Sequence, residues 1–85
     1  MIIVRAIAES DANSWRRLWA GYVAFYETSL TDEITDHTCR RMYDPSAPVI
    51  GRVAERDGNV AGFSMSVLHE GTWTLAPICY LEDLF

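Results

Sequence analysis

Ile78-Cys79-Tyr80-Leu81-Glu82-Asp83-Leu84-Phe85 is the stretch that decides the reading of this chain. Aromatic and branched aliphatic side chains suit a pleated, half-buried surface, so the stretch reads as a buried β-strand. Two adjacent carboxylates interrupt its apolar run. A domain seldom finishes on such a strand, because terminal residues are usually polar and loosely held. The expectation is a sheet whose fourth strand is this one, with further sequence needed to complete it.

The preceding segments supply the rest of that sheet. Val49 to Arg56 reads as a strand, and Asp57-Gly58 as a tight hairpin turn, since that pair tolerates the positive φ such turns require. Val60 to His69 is the return strand, with Ala61, Phe63, Met65 and Val67 on one face and Gly62, Ser64 and Ser66 on the other. Glu70-Gly71 opens a loop that reaches Pro77. Nearer the start, Ile2 to Ile7 reads as an edge-compatible strand, followed by Ser10 or Asp11 as a helix N-cap. Trp15, Leu18, Trp19, Tyr22, Val23 and Tyr26 then recur at steps of three and four, the apolar stripe of a helix. A second helix is expected from near Thr35 to Tyr43, with Cys39, Met42 and Tyr43 inward, or from a cap at Thr31 or Asp32. Asp44-Pro45-Ser46-Ala47-Pro48 ends it, since proline cannot continue a helix. The order strand-helix-helix-strand-strand-strand defines an α+β fold with a mainly antiparallel sheet.

Composition bounds the function. The 85 residues make one domain at most, and 49% hydrophobic with 22% charged residues marks a globular chain. The net charge is −5 and every basic residue is arginine. An acidic chain is a poor partner for nucleic acid, where affinity rests on neutralising phosphates. No apolar run is long enough to span a membrane, and the start is too short for a signal peptide. The expected compartment is the cytoplasm. Cys39 and Cys79 form no C-x-x-C pair and read as small apolar core residues. His37 and His69 are isolated, so no metal site is expected.

Several of these stretches together resemble the N-terminal half of a GNAT-family N-acetyltransferase. They are Val4-Arg5-Ala6 leading to Glu9-Ser10-Asp11, the hairpin Asp57-Gly58-Asn59-Val60-Ala61-Gly62-Phe63, and Tyr80-Leu81-Glu82-Asp83-Leu84-Phe85. The last is similar to the fourth strand of members that acetylate polyamines and diamines, and Thr72-Trp73 is similar to that subgroup as well. The resemblance covers the whole chain. It implies that residues 1–85 form a partial GNAT domain, without the acetyl-CoA pyrophosphate loop that the family places after this strand. An isolated fragment of that kind is expected to be inactive.

The resemblance also implies roles. The reaction moves an acetyl group from acetyl-CoA to a small cationic amine, and the amine must lose a proton before it attacks. Glu82 is the expected catalytic residue, taking that proton directly or through water. Asp83 is expected to bind substrate if a bulge turns it to the same face as Glu82. Leu84 and Phe85 would offer backbone groups to the acyl-pantetheine arm, with backbone amides of this strand stabilising the oxyanion. Tyr26, Glu27, Asp32, Glu33 and Trp73 would line the amine pocket with carboxylates and aromatic faces. A competing expectation is a non-catalytic module whose last strand pairs with a second copy or another partner.

Overall fold

A computed structural model describes residues 1–85. Strand β1 covers Ile2–Ala6; a 3₁₀ turn at Glu9–Asp11 leads into helix α1, Ala12–Phe25; helix α2 covers Asp32–Tyr43; then come β2, Val49–Arg56, β3, Asn59–His69, and β4, Ile78–Leu84. The four strands pair antiparallel in the order β1-β2-β3-β4, so the α+β order and topology expected from the sequence are those observed. Asp57 and Gly58 both take positive φ, 52° and 85°, which is the type I′ geometry that suits the twist of the two strands they join.

Both helices lie on one face of the sheet. Trp15 and Trp19 of α1 stack with ring centroids 5.1 Å apart and meet Phe63 of β3 at 6.2 and 6.0 Å. Cys39 and Met42 of α2 join Val53, Phe63 and Met65 to complete the buried core. Met42 packs directly onto β2 at Gly51, where an added Cβ would stand 2.8 Å from the Met42 sulfur and 2.9 Å from Ile7. Trp19 Nε1 donates to Thr35 Oγ1 at 3.2 Å, and Arg16 pairs with Asp36 at 2.7 Å, so polar contacts also join the helices.

Some sequence expectations are corrected by the structure. Of the starts left open for helix α2, the one near Thr35 is corrected and the cap at Thr31 is observed: Thr31 Oγ1 accepts the Ile34 N–H at 3.3 Å, and the helix begins at Asp32. Acidic Asp32 and Glu33 then occupy its first turn, and Arg40 and Arg41 its last, each complementing the helix dipole. Tyr26 lies just past α1 and is exposed, so the buried part of the stripe ends sooner than its spacing suggests. A bulge between β2 and β3 sets Glu55 opposite Val60, so Val60 packs against the core and Ala61 is the extra, exposed residue. Cys79 is exposed, not core, because β4 is an edge strand with little packed over it. For the same reason β4 as a whole is largely exposed instead of buried.

Asp11 stands at the N-cap of α1 but makes no side-chain cap bond to that helix. Its carboxylate receives two bonds from Arg5, Nη1 to Oδ2 at 2.8 Å and Nη2 to Oδ1 at 3.0 Å, and one from the Ala8 N–H at 2.8 Å. Arg5 also reaches Glu55 Oε2, from Nε at 3.2 Å and Nη2 at 3.1 Å. This ion-pair triad ties β1, the 3₁₀ turn and β2 together. The hydrogen bonds from Arg5 hold the Asp11 carboxyl below its ordinary range against the opposing effect of burial.

Candidate active site

The site is built on a break in the β3–β4 ladder. Ser66 lies opposite Leu81 and Met65 opposite Asp83, which leaves Glu82 as an extra residue without a partner on β3. Side chains alternate along a strand, and a bulge resets the alternation. Tyr80 shares the helix-side face with Val67, and two steps on from Tyr80 is Glu82. Phe85 pairs with Phe63, a core residue, and two steps back from Phe85 is Asp83. Adjacent carboxylates therefore project from the same face, toward the C-terminal half of α1.

Tyr22 meets them there. Its hydroxyl donates to Asp83 Oδ1 at 2.8 Å. Burial, and then this bond to a carboxylate, push the phenol up to about 12, with smaller contributions from the charges of Glu82 and Tyr26. The Tyr26 ring stands edge-on to Tyr22 at 5.2 Å, and Phe25 edge-on to Tyr26 at 5.4 Å. Glu82 is solvent-exposed, so the two acids lie at an open surface with aromatic rings beside them.

The end of β4 is held in place by small residues. The Phe85 ring lies over Gly21, where an added Cβ would come within 3.4 Å, and edge-on to Tyr22 at 5.8 Å. The Phe85 carbonyl lies 2.8 Å from where a Cβ on Gly62 would stand. Phe85 exchanges both backbone bonds with Phe63, N–H to O at 3.0 Å and O from N–H at 2.9 Å. In an antiparallel ladder the next pair, Ser64 and Leu84, then makes none between its members. Of the two residues expected to offer backbone groups to an acyl-pantetheine arm, Leu84 turns its N–H and C=O to the free outer edge, and Phe85 has its own already engaged. The Phe85 ring is turned instead to Tyr22 and Gly21.

The other expected site residues are dispersed. Glu27 takes φ 54° and ends α1: its N–H bonds to the Ala24 carbonyl at 2.9 Å, and the Thr28 N–H to the Val23 carbonyl at 3.3 Å. Asp32 and Glu33 are exposed in the first turn of α2. Asp32 lines a groove of about 410 Å³ with Arg16, Trp19, Val23 and Leu30, on a different face of α1 from Tyr22. Trp73 is 96% exposed on the β3–β4 loop and stacks on no other ring. Tyr22 was legible in the sequence only as a core residue. The signal available was its hydroxyl, which a tyrosine in an apolar stripe must satisfy somewhere.

No family model matches the chain. It is 30% identical over 86 aligned positions to the D-amino-acid N-acetyltransferase HPA3 of Saccharomyces cerevisiae, an alignment that covers 99% of this chain and 53% of that one. Among solved structures, a possible acetyltransferase from Clostridium difficile 630 superposes with a TM-score of 0.83 at 9% identity, covering all of this chain and 57% of that protein. An aminoglycoside acetyltransferase, meta-AAC0020, from an uncultured soil metagenomic sample superposes with a TM-score of 0.71 at 21% identity. That match covers 99% of this chain and 55% of the enzyme, which was solved with trehalose and with sisomicin. The chain spans about half the length of each of these proteins.

The sheet, its two helices on one face and the bulged acidic strand define an acetyltransferase-type fold. The alignment with the yeast relative runs over nearly the whole chain, which supports its resemblance to the GNAT family of N-acetyltransferases.

Proposed function

We propose that this chain forms the acceptor-side part of an N-acetyltransferase that moves an acetyl group from acetyl-CoA to a small primary amine. The observation that carries the reading is the bulge at Glu82, which sets two carboxylates side by side on the face toward α1. A free alkylamine is protonated near neutral pH, with a pKa of about 10.4 for a lysine-like group. The Asp83 and Glu82 charges attract that cation, and the Tyr22 and Tyr26 rings flank it. Glu82, exposed and without a protein partner in the ladder, then takes a proton from the nitrogen, directly or through water. Acetyl-CoA supplies an activated acyl group, and the outward backbone of Leu84 would hold its arm.

The acceptor class follows from charge. Glu82 and Asp83 stand side by side, neither forms an ion pair with an arginine, and Arg16 of α1 is already paired with Asp36. Such a surface disfavours an acceptor that carries its own carboxylate. It supports a diamine or polyamine ahead of the D-amino acids in the yeast relative's name. The test is an acetyl-transfer assay on this chain joined to the C-terminal half of a related N-acetyltransferase, with putrescine and a D-amino acid as alternative acceptors, repeated with Glu82→Gln. The expected outcome is preference for putrescine, and turnover lower by about 10²-fold or more in the variant at an unchanged melting temperature. Equal turnover in the variant overturns the role of Glu82.

A second reading is favoured by one observation. The outer edge of β4 is unpaired, and Ile78, Leu81 and Leu84 along it are 40 to 66% exposed. We propose that in this state the edge pairs with a second copy of the chain.

A further inference from the structure

The function proposed above makes no use of the Tyr22 hydroxyl beyond its nearness. We propose that Tyr22 is a positioning residue: by donating to Asp83 Oδ1 across 61 residues of sequence, it anchors the bulge of β4 and sets the direction in which Asp83 and Glu82 meet a cationic amine. The inference rests on the acceptor reading of that site.

Three features carry it. The donor is fixed, because the Tyr22 ring is clasped by Trp19 at 5.5 Å, Tyr26 at 5.2 Å, Phe63 at 5.7 Å and Phe85 at 5.8 Å. A phenol has two side-chain torsions, and rings on several sides leave its hydroxyl one place to point. The acceptor lies where anchoring matters, since Glu82 has no partner on β3 and its backbone is placed by its neighbours. The third feature is charge. Arg5 binds Asp11 with two charged bonds and neutralises it. A neutral hydroxyl orients Asp83 through one oxygen, leaves its charge in place, and leaves Oδ2 without a protein donor. Two acids held by a neutral clamp keep both charges for the ligand. The raised phenol pKa keeps Tyr22 a donor throughout the physiological range.

Tyr22→Phe removes the hydroxyl and keeps the ring. Two measurements follow on the protein and this variant: amide hydrogen exchange at Leu81 to Leu84, and the binding of putrescine and of butylamine by calorimetry. The expected result is exchange about 5- to 10-fold faster at Glu82 and Asp83, the scale of one net hydrogen bond. Core amides such as those of Trp15 and Val53 stay protected. Putrescine should weaken by a similar factor and butylamine by less, so the preference for the dication shrinks; a general structural loss would weaken both alike. Asp83→Asn approaches the bond from β4. It keeps an oxygen for Tyr22, so the bulge should stay protected while the putrescine preference falls, and adding Tyr22→Phe should loosen the bulge again. Unchanged exchange at the bulge in Tyr22→Phe overturns the proposal, whatever the ligand data. Faster exchange with no putrescine binding to the unaltered protein upholds the anchoring by Tyr22 and overturns the acceptor reading on which its purpose rests.

Discussion

Glu27 holds φ at 54°, a region where an L-residue meets its own carbonyl and where glycine is at ease. Its two flanking bonds, Glu27 N–H to Ala24 and Thr28 N–H to Val23, form the Schellman pattern that closes α1. Glycine is the usual occupant of that position, so glutamate here carries a cost of about 1 kcal/mol. Glu27→Gly is therefore expected to stabilise the fold by about 0.5–1 kcal/mol, read as a rise in melting temperature. A fall would mean that the side chain makes a compensating contact. If Glu27 also attracts the amine, the same variant loses affinity while gaining stability, which separates the two roles. From the sequence, Tyr26-Glu27 was legible as the end of a helix near the acceptor site; the backbone strain was not, because a glutamate gives no sign of positive φ. The Asp57-Gly58 turn was legible for the opposite reason, since both of its residues advertise that conformation.

At the level of elements, β4 depends on residues that make room for it. Gly62 has the Phe85 carbonyl 2.8 Å from where its Cβ would be, and a backbone oxygen cannot swing aside as a flexible side chain does. Gly62→Ala should therefore displace the end of β4, break the Phe63–Phe85 pair and cost about 1–3 kcal/mol, the range for overpacking a fitted site. The check is chemical denaturation together with amide exchange at Phe63 and Phe85; an unchanged midpoint and unchanged exchange would count against this account of the glycine. Element identity was readable throughout because period and punctuation agreed: the Trp15–Trp19 stripe, the Pro45 and Pro48 stop, and the alternation of β3. What escaped were the offsets. A bulge adds one residue to one strand, and nothing in Val60-Ala61 or Glu82-Asp83 announces it, because it arises from how two strands fit each other. The bulge in β4 was an implication of the family resemblance; the one in β3 had no such guide, and Val60 took the core place assigned to Ala61.

For the molecule as a whole, pH and exposed surface set the limits of the folded state. Asp11 is held below its ordinary value of about 3.8, first by its bonds from Arg5, and Asp44 likewise by Ser46. A depressed folded pKa gives stability that is present above the unfolded value and lost as pH falls through the folded one. Tyr22 and Tyr43 are pushed from about 10 up to about 12, chiefly by burial, so their neutral forms favour the fold and stability declines as pH rises from 10 to 12. A plateau between these limits is expected, with Asp11→Asn flattening the acid side in thermal melts; an unchanged acid profile would remove Asp11 from the account. Within the plateau, surface decides. The helices cover one face of the sheet, and the other leaves Val4 and Leu84 about two-thirds exposed beside the open edge of β4. An exposed apolar edge strand is a template for another strand, and a charged residue on it is how such pairing is blocked. This chain has carboxylates at Glu82 and Asp83, but the bulge turns both toward α1 and leaves Leu81 and Leu84 facing the uncovered side. Sedimentation of this 85-residue chain should therefore show a mass that rises with concentration, and Leu81→Lys should shift the rise to higher concentration without lowering the melting temperature of the dilute protein. A mass that stays monomeric across the series would mean that the bulge itself, by twisting the edge, is enough to keep a second strand away.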